Sequence, residues 1–195
     1  MIHPYNYVTA KDALSIIESN SRVFVHGSIC TPTHLLNELA HEKDRLRNVE
    51  LVSITLKGDV EIAKPEYQDS FLINSLFVSS PIREAVNDGR ADFVPVFLSD
   101  IPDLFKNDIL PIDTAIVQVS PPDKQGYVSL GVSVDIARSA VDSAKQIIAL
   151  VNPKMPRTHG DGMIHTDRFD KMVFHDTELP EESYSSKVGE NELKI

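Results

Sequence analysis

The chain has 195 residues, 42% hydrophobic and 25% charged, the make-up of a globular domain that can bury its own core without metal or disulfide staples. Cys30, the single cysteine, cannot close an internal disulfide, so a disulfide scaffold is excluded and a reducing cytoplasm is the expected compartment. The formal net charge of −10 offers no basic footprint for nucleic acid or an anionic membrane, and no apolar run approaches the ~18 residues of a membrane span.

In chain order, Thr9 caps a first helix whose inner face carries Ala10, Leu14 and Ile17, with Asp12 suited to its positive end. Arg22 to His26 reads as a short buried strand ended by Gly27. A second helix starts near Pro32, a good first-turn residue, and runs through Leu35, Leu36, Leu39 and Leu46. Val49 to Leu56 and Leu72 to Ser79 have strand character. Pro81 to Asp88 is a short helix ended by Gly89. Phe93 to Phe97 is predicted as a strand that carries a proline, which suits an edge. A short helix follows over Asp100 to Asn107. Thr114 to Val119 and Gln146 to Val151 are continuous apolar runs of the kind covered on both faces, with a helix over Ser133 to Ala144 between them. Strands alternating with helices predict an α/β fold: an open, largely parallel sheet with helices on both faces and ligands at the carboxyl ends of its strands. From Leu179 onward the periodicity is lost and acidic residues accumulate (Glu181, Glu182, Glu190, Glu192). Residues 1–178 are therefore expected to form the domain, and 179–195 an acidic linker or disordered tail.

Three post-strand segments carry the features a ligand could use. His26 to His34 is a strand-to-helix turn in which Gly27 permits a sharp bend and the helix start offers amides to an anion. It has neither the dinucleotide GxGxxG nor a phosphate-loop lysine. Ser120 to Gly131 opens with two prolines and contains Asp123 and Gly126, which favour turns. Asn152 to His165 supplies Arg157, His159, Asp161, His165 and backbone donors around Gly160 and Gly162. The spacing of His159, Asp161 and His165 matches no zinc pattern, so no metal is expected. Cys30 has no evident base partner, and Ser28, Ser120 and Ser129 lack a nucleophile elbow. An ordinary structural turn remains the alternative for the first two segments, and an acid/base role for His159 or Asp161 the alternative for the third.

Taken together, the segments resemble the N-terminal domain of the acetyl-CoA hydrolase/transferase family. The likeness rests on Ser120-Pro-x-Asp-x-x-Gly-x-x-Ser-x-Gly131, on Asn152-Pro-x-x-Pro-x-Thr-x-Gly160-Asp followed by Ile164-His165, and on the Gly27 to Pro32 turn, covering nearly all of residues 5–180. The resemblance implies an enzyme of two similar α/β domains with coenzyme A as co-substrate. In it a glutamate forms an acyl anhydride and then a glutamyl-CoA thioester, conserving the thioester's energy while CoA passes between a short-chain acyl-CoA and a carboxylate. That glutamate belongs to a second domain that this chain lacks, so no catalytic residue is expected within these 195 residues and the chain alone is expected to be inactive. The implied substrate-binding wall comprises Gly27, Pro32, Ser120, Asp123, Gly126, Met155, Pro156, His159, Gly160 and Asp161. The second domain and other copies of the chain are the expected protein partners, the latter through apolar surface exposed where the second domain would dock. Acyl-CoA hydrolysis, a non-catalytic ligand-binding or assembly role, and sugar-phosphate isomerase chemistry stand as alternatives, the last weakened by the missing phosphate loop.

Overall fold

A computed structural model of the chain describes residues 5–181 and residue 193. The elements are α1 (Ala10–Leu14), β1 (Arg22–Val25), α2 (Thr33–Ala40), β2 (Val49–Ser53), β3 (Phe71–Ser75), α3 (Arg83–Asn87), β4 (Ala91–Phe93), α4 (Ile101–Lys106), β5 (Thr114–Val119), β6 (Tyr127–Ser129), α5 (Ala137–Ser143), β7 (Gln146–Val151), β8 (Met163–His165) and β9 (Lys171–Phe174). Seven strands form one sheet in the order β4-β3-β2-β1-β5-β7-β9, every neighbouring pair parallel. Strands β6 and β8 pair antiparallel as a separate ribbon.

The sheet is sandwiched between two apolar layers. On one face Val23, Val25, Leu51, Ile73, Ile116 and Ile148 pack with Leu14, Leu36 and Ala85 of α1, α2 and α3. On the other, Phe24, Val52, Ala115, Val117 and Ala149 pack with Phe105 of α4, Ala140 of α5 and Val128 of the ribbon. Because alternate residues serve opposite layers, all six residues of β5 are buried, which is why its sequence is mostly apolar, with Gln118 the polar residue within the run. The predicted open parallel sheet with helices on both faces is what the chain forms.

Several boundaries differ from the sequence reading. β4 ends at Phe93; Val94 still donates to Ser75 O at 3.0 Å, but Pro95 has no N–H and the ladder stops. Strands β2 and β3 end at Ser53 and Ser75; Ile54 O still accepts from Phe77 N at 3.0 Å, but Thr55 O turns to the loop after β1 and accepts from Ser28 N at 2.8 Å. Helix α5 starts at Ala137 rather than Ser133, after the Asp135 carboxylate accepts from Ile136 N at 2.6 Å and Ala137 N at 3.3 Å. Pro32 is the residue before α2, not inside its first turn. Beyond the carboxyl end of β4, Phe97 is 78% exposed, with Phe93, Val94 and Leu98 exposed around it. Most of the predicted tail, residues 182–192, 194 and 195, lies outside the described residues.

Candidate functional site

From β1 the chain builds outward to β2, β3 and β4, then returns to place β5 on the other side of β1. The direction of winding reverses between β1 and β5, and in such sheets the loops leaving the two strands diverge there to open a crevice. Those loops are His26 to Pro32 and Ser120 to Gly131. A cavity of about 610 Å³ at the opposite, amino edge, lined by residues such as Glu18, Asp113 and Lys145, lies away from this crevice.

His26 sits at the reversal and is fully buried. Its Nδ1 accepts from Gln118 N at 3.2 Å, which leaves the proton on Nε2, donated to Ser133 O at 2.6 Å. Burial pushes the imidazole pKa down, so the ring is neutral and both nitrogens are engaged in tying β1 to β5 and to the start of the α5 connection. Gly27 has ordinary extended angles, φ −98 and ψ −178. Its glycine is required by close approach: a Cβ would lie 2.7 Å from Ile54 Cγ1 and 3.0 Å from Thr55 O. The left-handed residue of this turn is Ser28, at φ 54, whose hydroxyl meets Thr55 Oγ1 at 2.9 Å. Thr31 donates to Ser28 O at 2.7 Å and accepts from Lys57 N at 3.0 Å, and Pro32 is buried behind it.

The second and third segments form one network. Ser120 Oγ accepts from Ser129 N at 2.9 Å, and Ser120 N donates to Ser129 O at 2.9 Å, closing the 120–129 excursion. Asp123 Oδ1 accepts from Gln125 N and Tyr127 N at 2.9 Å each, and its Oδ2 accepts from Arg157 Nη2 at 2.5 Å. The Tyr127 and Gln125 amides and the guanidinium hold this carboxyl below the usual carboxylate range. Gly126, at φ 87, lets the turn close against His165, whose Nε2 would be 2.8 Å from a Cβ there. Ser129 Oγ accepts from Gly131 N and Thr158 N at 3.0 Å each. Thr158 spends its proton on Gly131 O at 2.7 Å, so at their 2.9 Å contact Ser129 is the donor.

Met155 is buried against Gly131, where a Cβ would fall 2.1 Å from its sulfur, and it lies 3.9 Å from Cys30 Sγ. Burial raises the Cys30 thiol pKa. The three segments are thus joined through Cys30–Met155, Ser129–Thr158 and Asp123–Arg157. Pro156, His159, Gly160 and Asp161 are exposed; Asp161 O accepts from Arg138 Nη1 at 2.8 Å, placing this turn over α5. The sequence reading missed Gln118, a polar residue inside a strand taken as apolar, and it quoted Ser129 and Thr158 within motifs without giving either a role, because their partners lie far along the chain. It also missed the β6–β8 ribbon and β9, which are runs of only three, three and four residues.

Chemically, the conspicuous polar groups of these loops brace one another. His26 has no free nitrogen, Asp123 is fully engaged and Cys30 is held as thiol. Among the described residues, no group of three or more His, Cys, Asp or Glu could hold a metal ion. No helix among them is long and apolar enough to cross a membrane.

A family model described as acetyl-CoA hydrolase/transferase N-terminal domain matches residues 3–180. A 4-hydroxybutyrate coenzyme A transferase of Clostridium kluyveri is 45% identical over 172 residues, covering 88% of this chain and 40% of that protein. A succinyl-CoA:acetate/propanoyl-CoA:succinate CoA transferase of Fasciola hepatica is 38% identical over 156 residues, covering 79% of this chain and 32% of that protein. The crystal structure of RipA from Yersinia pestis superposes with a TM-score of 0.84 at 29% identity, over 93% of this chain and 45% of that chain. That of a 4-hydroxybutyrate CoA-transferase from Porphyromonas gingivalis gives 0.76 at 22% identity, over 90% of this chain and 41% of that one, a likeness of fold. The chain therefore spans less than half the length of the relatives it matches.

Proposed function

The chain belongs to the acetyl-CoA hydrolase/transferase family, as its N-terminal domain, and from that premise we propose that it is one half of a CoA-transferase cleft. The transfer moves CoA between a short-chain acyl-CoA and a carboxylate such as acetate, butyrate, succinate or 4-hydroxybutyrate. A glutamate carried by a second domain attacks the thioester carbonyl and expels CoA thiolate, giving an acyl-glutamyl anhydride. The thiolate returns to the glutamyl carbonyl and releases the carboxylate, leaving a glutamyl-CoA thioester. The incoming carboxylate then runs the same steps in reverse.

The observation that carries this reading is the family match over residues 3–180 beside relatives that are named CoA-transferases. The site chemistry agrees with it, since the conspicuous polar groups at the crevice are already bonded to one another and brace the loops. In this division of labour the first half supplies the wall: Gly27 and Pro32 from one loop, Ser120, Asp123 and Gly126 from the next, and Met155 and Pro156 from the third. His159, Gly160 and Asp161 form its outer rim over α5. Rigid loops position the acyl end and exclude water, which decides between transfer and hydrolysis of the glutamyl intermediate. The exposed apolar group around Phe97 is the surface offered to the second domain or to another copy of the chain.

The test is an acyl-transfer assay from acetyl-CoA to butyrate, succinate or 4-hydroxybutyrate. It is run on the chain alone and on the chain joined after residue 180 to the remainder of the Clostridium kluyveri relative. Transfer by the joined protein only is the expected result. Transfer by the chain alone overturns the placement of the nucleophile outside it. Thioester loss without acceptor dependence identifies a hydrolase, and no turnover by a folded joined protein favours a non-catalytic role.

A further inference from the structure

Behind the crevice, a cavity of about 370 Å³ opens between the first turn of α2 and the chain leaving β9, lined by Thr31, Thr33, His34, Gln118, His175 and Thr177 among others. Gln118, on β5, is only 2% exposed. The orientation of its amide is fixed by its neighbour. Asn152 Oδ1 accepts from Lys154 N at 3.0 Å, so Asn152 Nδ2 points the other way and donates to Thr177 O at 2.9 Å and to Gln118 Oε1 at 3.2 Å. With its oxygen so engaged, Gln118 turns its NH2 group toward the cavity, where it meets no acceptor among the described residues. An amide donor that has no protein acceptor among the described residues, on a side chain this buried, is free for a ligand in the cavity that accepts its hydrogen bond.

Two further groups line the same space. The rings of His34 and His175 stack with centroids 3.9 Å apart and planes 7° from parallel. Neither imidazole has a hydrogen-bond partner among the described residues, so each ring has an N–H to offer. The start of α2, at Thr33 and His34, adds its positive end. The one carboxylate on the lining, Glu178, is paired with Lys154. The cavity is thus rich in donors, and its volume suits a short organic acid rather than a whole CoA nucleotide.

We propose that this cavity is a binding site for a small carboxylate, held by the Gln118 amide and the imidazole N–H groups of His34 and His175. The site rests on the cavity's own geometry, so it stands or falls separately from the transferase reading. The test titrates the 195-residue chain with acetate, butyrate, succinate and inorganic phosphate at constant ionic strength, following histidine ring signals by NMR. The expected result is saturable movement of the His34 and His175 signals with the carboxylates, while those of His159 and His165 stay in place. Gln118→Leu, which keeps the volume and removes the donor, is expected to weaken binding about fivefold or more. His175→Phe, which keeps a stacked ring without nitrogens, is expected to do the same and decides the matter if the first variant does not fold. Absence of saturable binding at tens of millimolar, equal affinity in folded variants, or phosphate binding as well as the carboxylates each overturns the assignment.

Discussion

Replacing Gly131 by alanine tests the junction on which all three crevice loops converge. Gly131 lies at φ 69, and a Cβ there would stand 2.1 Å from Met155 Sδ and 2.7 Å from its Cγ. Left-handed backbone costs a non-glycine residue about 1–2 kcal/mol. Overpacking a close-fitted site costs a further ~1–3 kcal/mol. Met155 is 3% exposed and sits between Gly131 and Cys30, so it cannot swing into solvent without leaving a hole. Gly131→Ala is therefore expected to lower unfolding free energy by about 2–5 kcal/mol, read from the midpoint of urea denaturation at constant slope. Gly160→Ala is the control: φ is 95 but nothing lies within 4 Å of the added methyl, so only the backbone part, about 1–2 kcal/mol, is expected. Met155→Ala alone should cost about 2–5 kcal/mol. The double variant Gly131→Ala with Met155→Ala should cost less than the sum of the two, because the truncated side chain makes room for the new methyl. A Gly131→Ala protein no less stable than Gly160→Ala, or strictly additive single variants, would refute the close fit.

Three other outcomes follow from the titrating groups. The Asp123 carboxyl is held below its ordinary range by backbone donors and Arg157, so its contribution is complete above about pH 4 and is lost as pH falls through the folded value; the stability gap between wild type and Asp123→Asn should close on acidification, measured by denaturation from pH 6 down to 3. Burial lowers the His26 pKa, so the unfolded chain binds a proton first and stability declines as pH drops below about 6.5. Ring NMR should show His26 still neutral and protonated at Nε2 where an ordinary histidine carries charge. Burial raises the Cys30 pKa, so its alkylation by iodoacetamide at pH 8 should be far slower in the native chain than in urea; equal rates would contradict the packing of Cys30 against Met155.

Much of this architecture is local enough to be read from residue order. Thr9 caps α1 as its position suggests, accepting from Asp12 N at 3.1 Å. The mostly apolar run of β5 announces a strand covered on both faces, and the glycine and proline punctuation marks the loops that end up at the carboxyl edge. Short elements escaped because three or four residues carry too little periodicity to separate strand from loop: β6, β8 and β9 exist through their partners, Val128 opposite Ile164 and Leu150 opposite Val173.

The sequence by itself determined the class of fold, since strand and helix periods follow from side-chain alternation along the chain. It also marked which loops carry unusual backbone. Only the tertiary structure decided what those loops do. Gly27 is needed for the approach of Ile54 rather than for a left-handed turn, a matter of distance between strands that no local pattern encodes. Asp123 is consumed by Arg157 across 34 positions, and His26 by Ser133 across 107. The His34–His175 stack and the unpartnered Gln118 amide arise where α2, β5 and the exit of β9 meet in space. Hydrogen bonds and packing act over a few ångströms, so groups far apart in the chain acquire a shared role only when the fold brings them together.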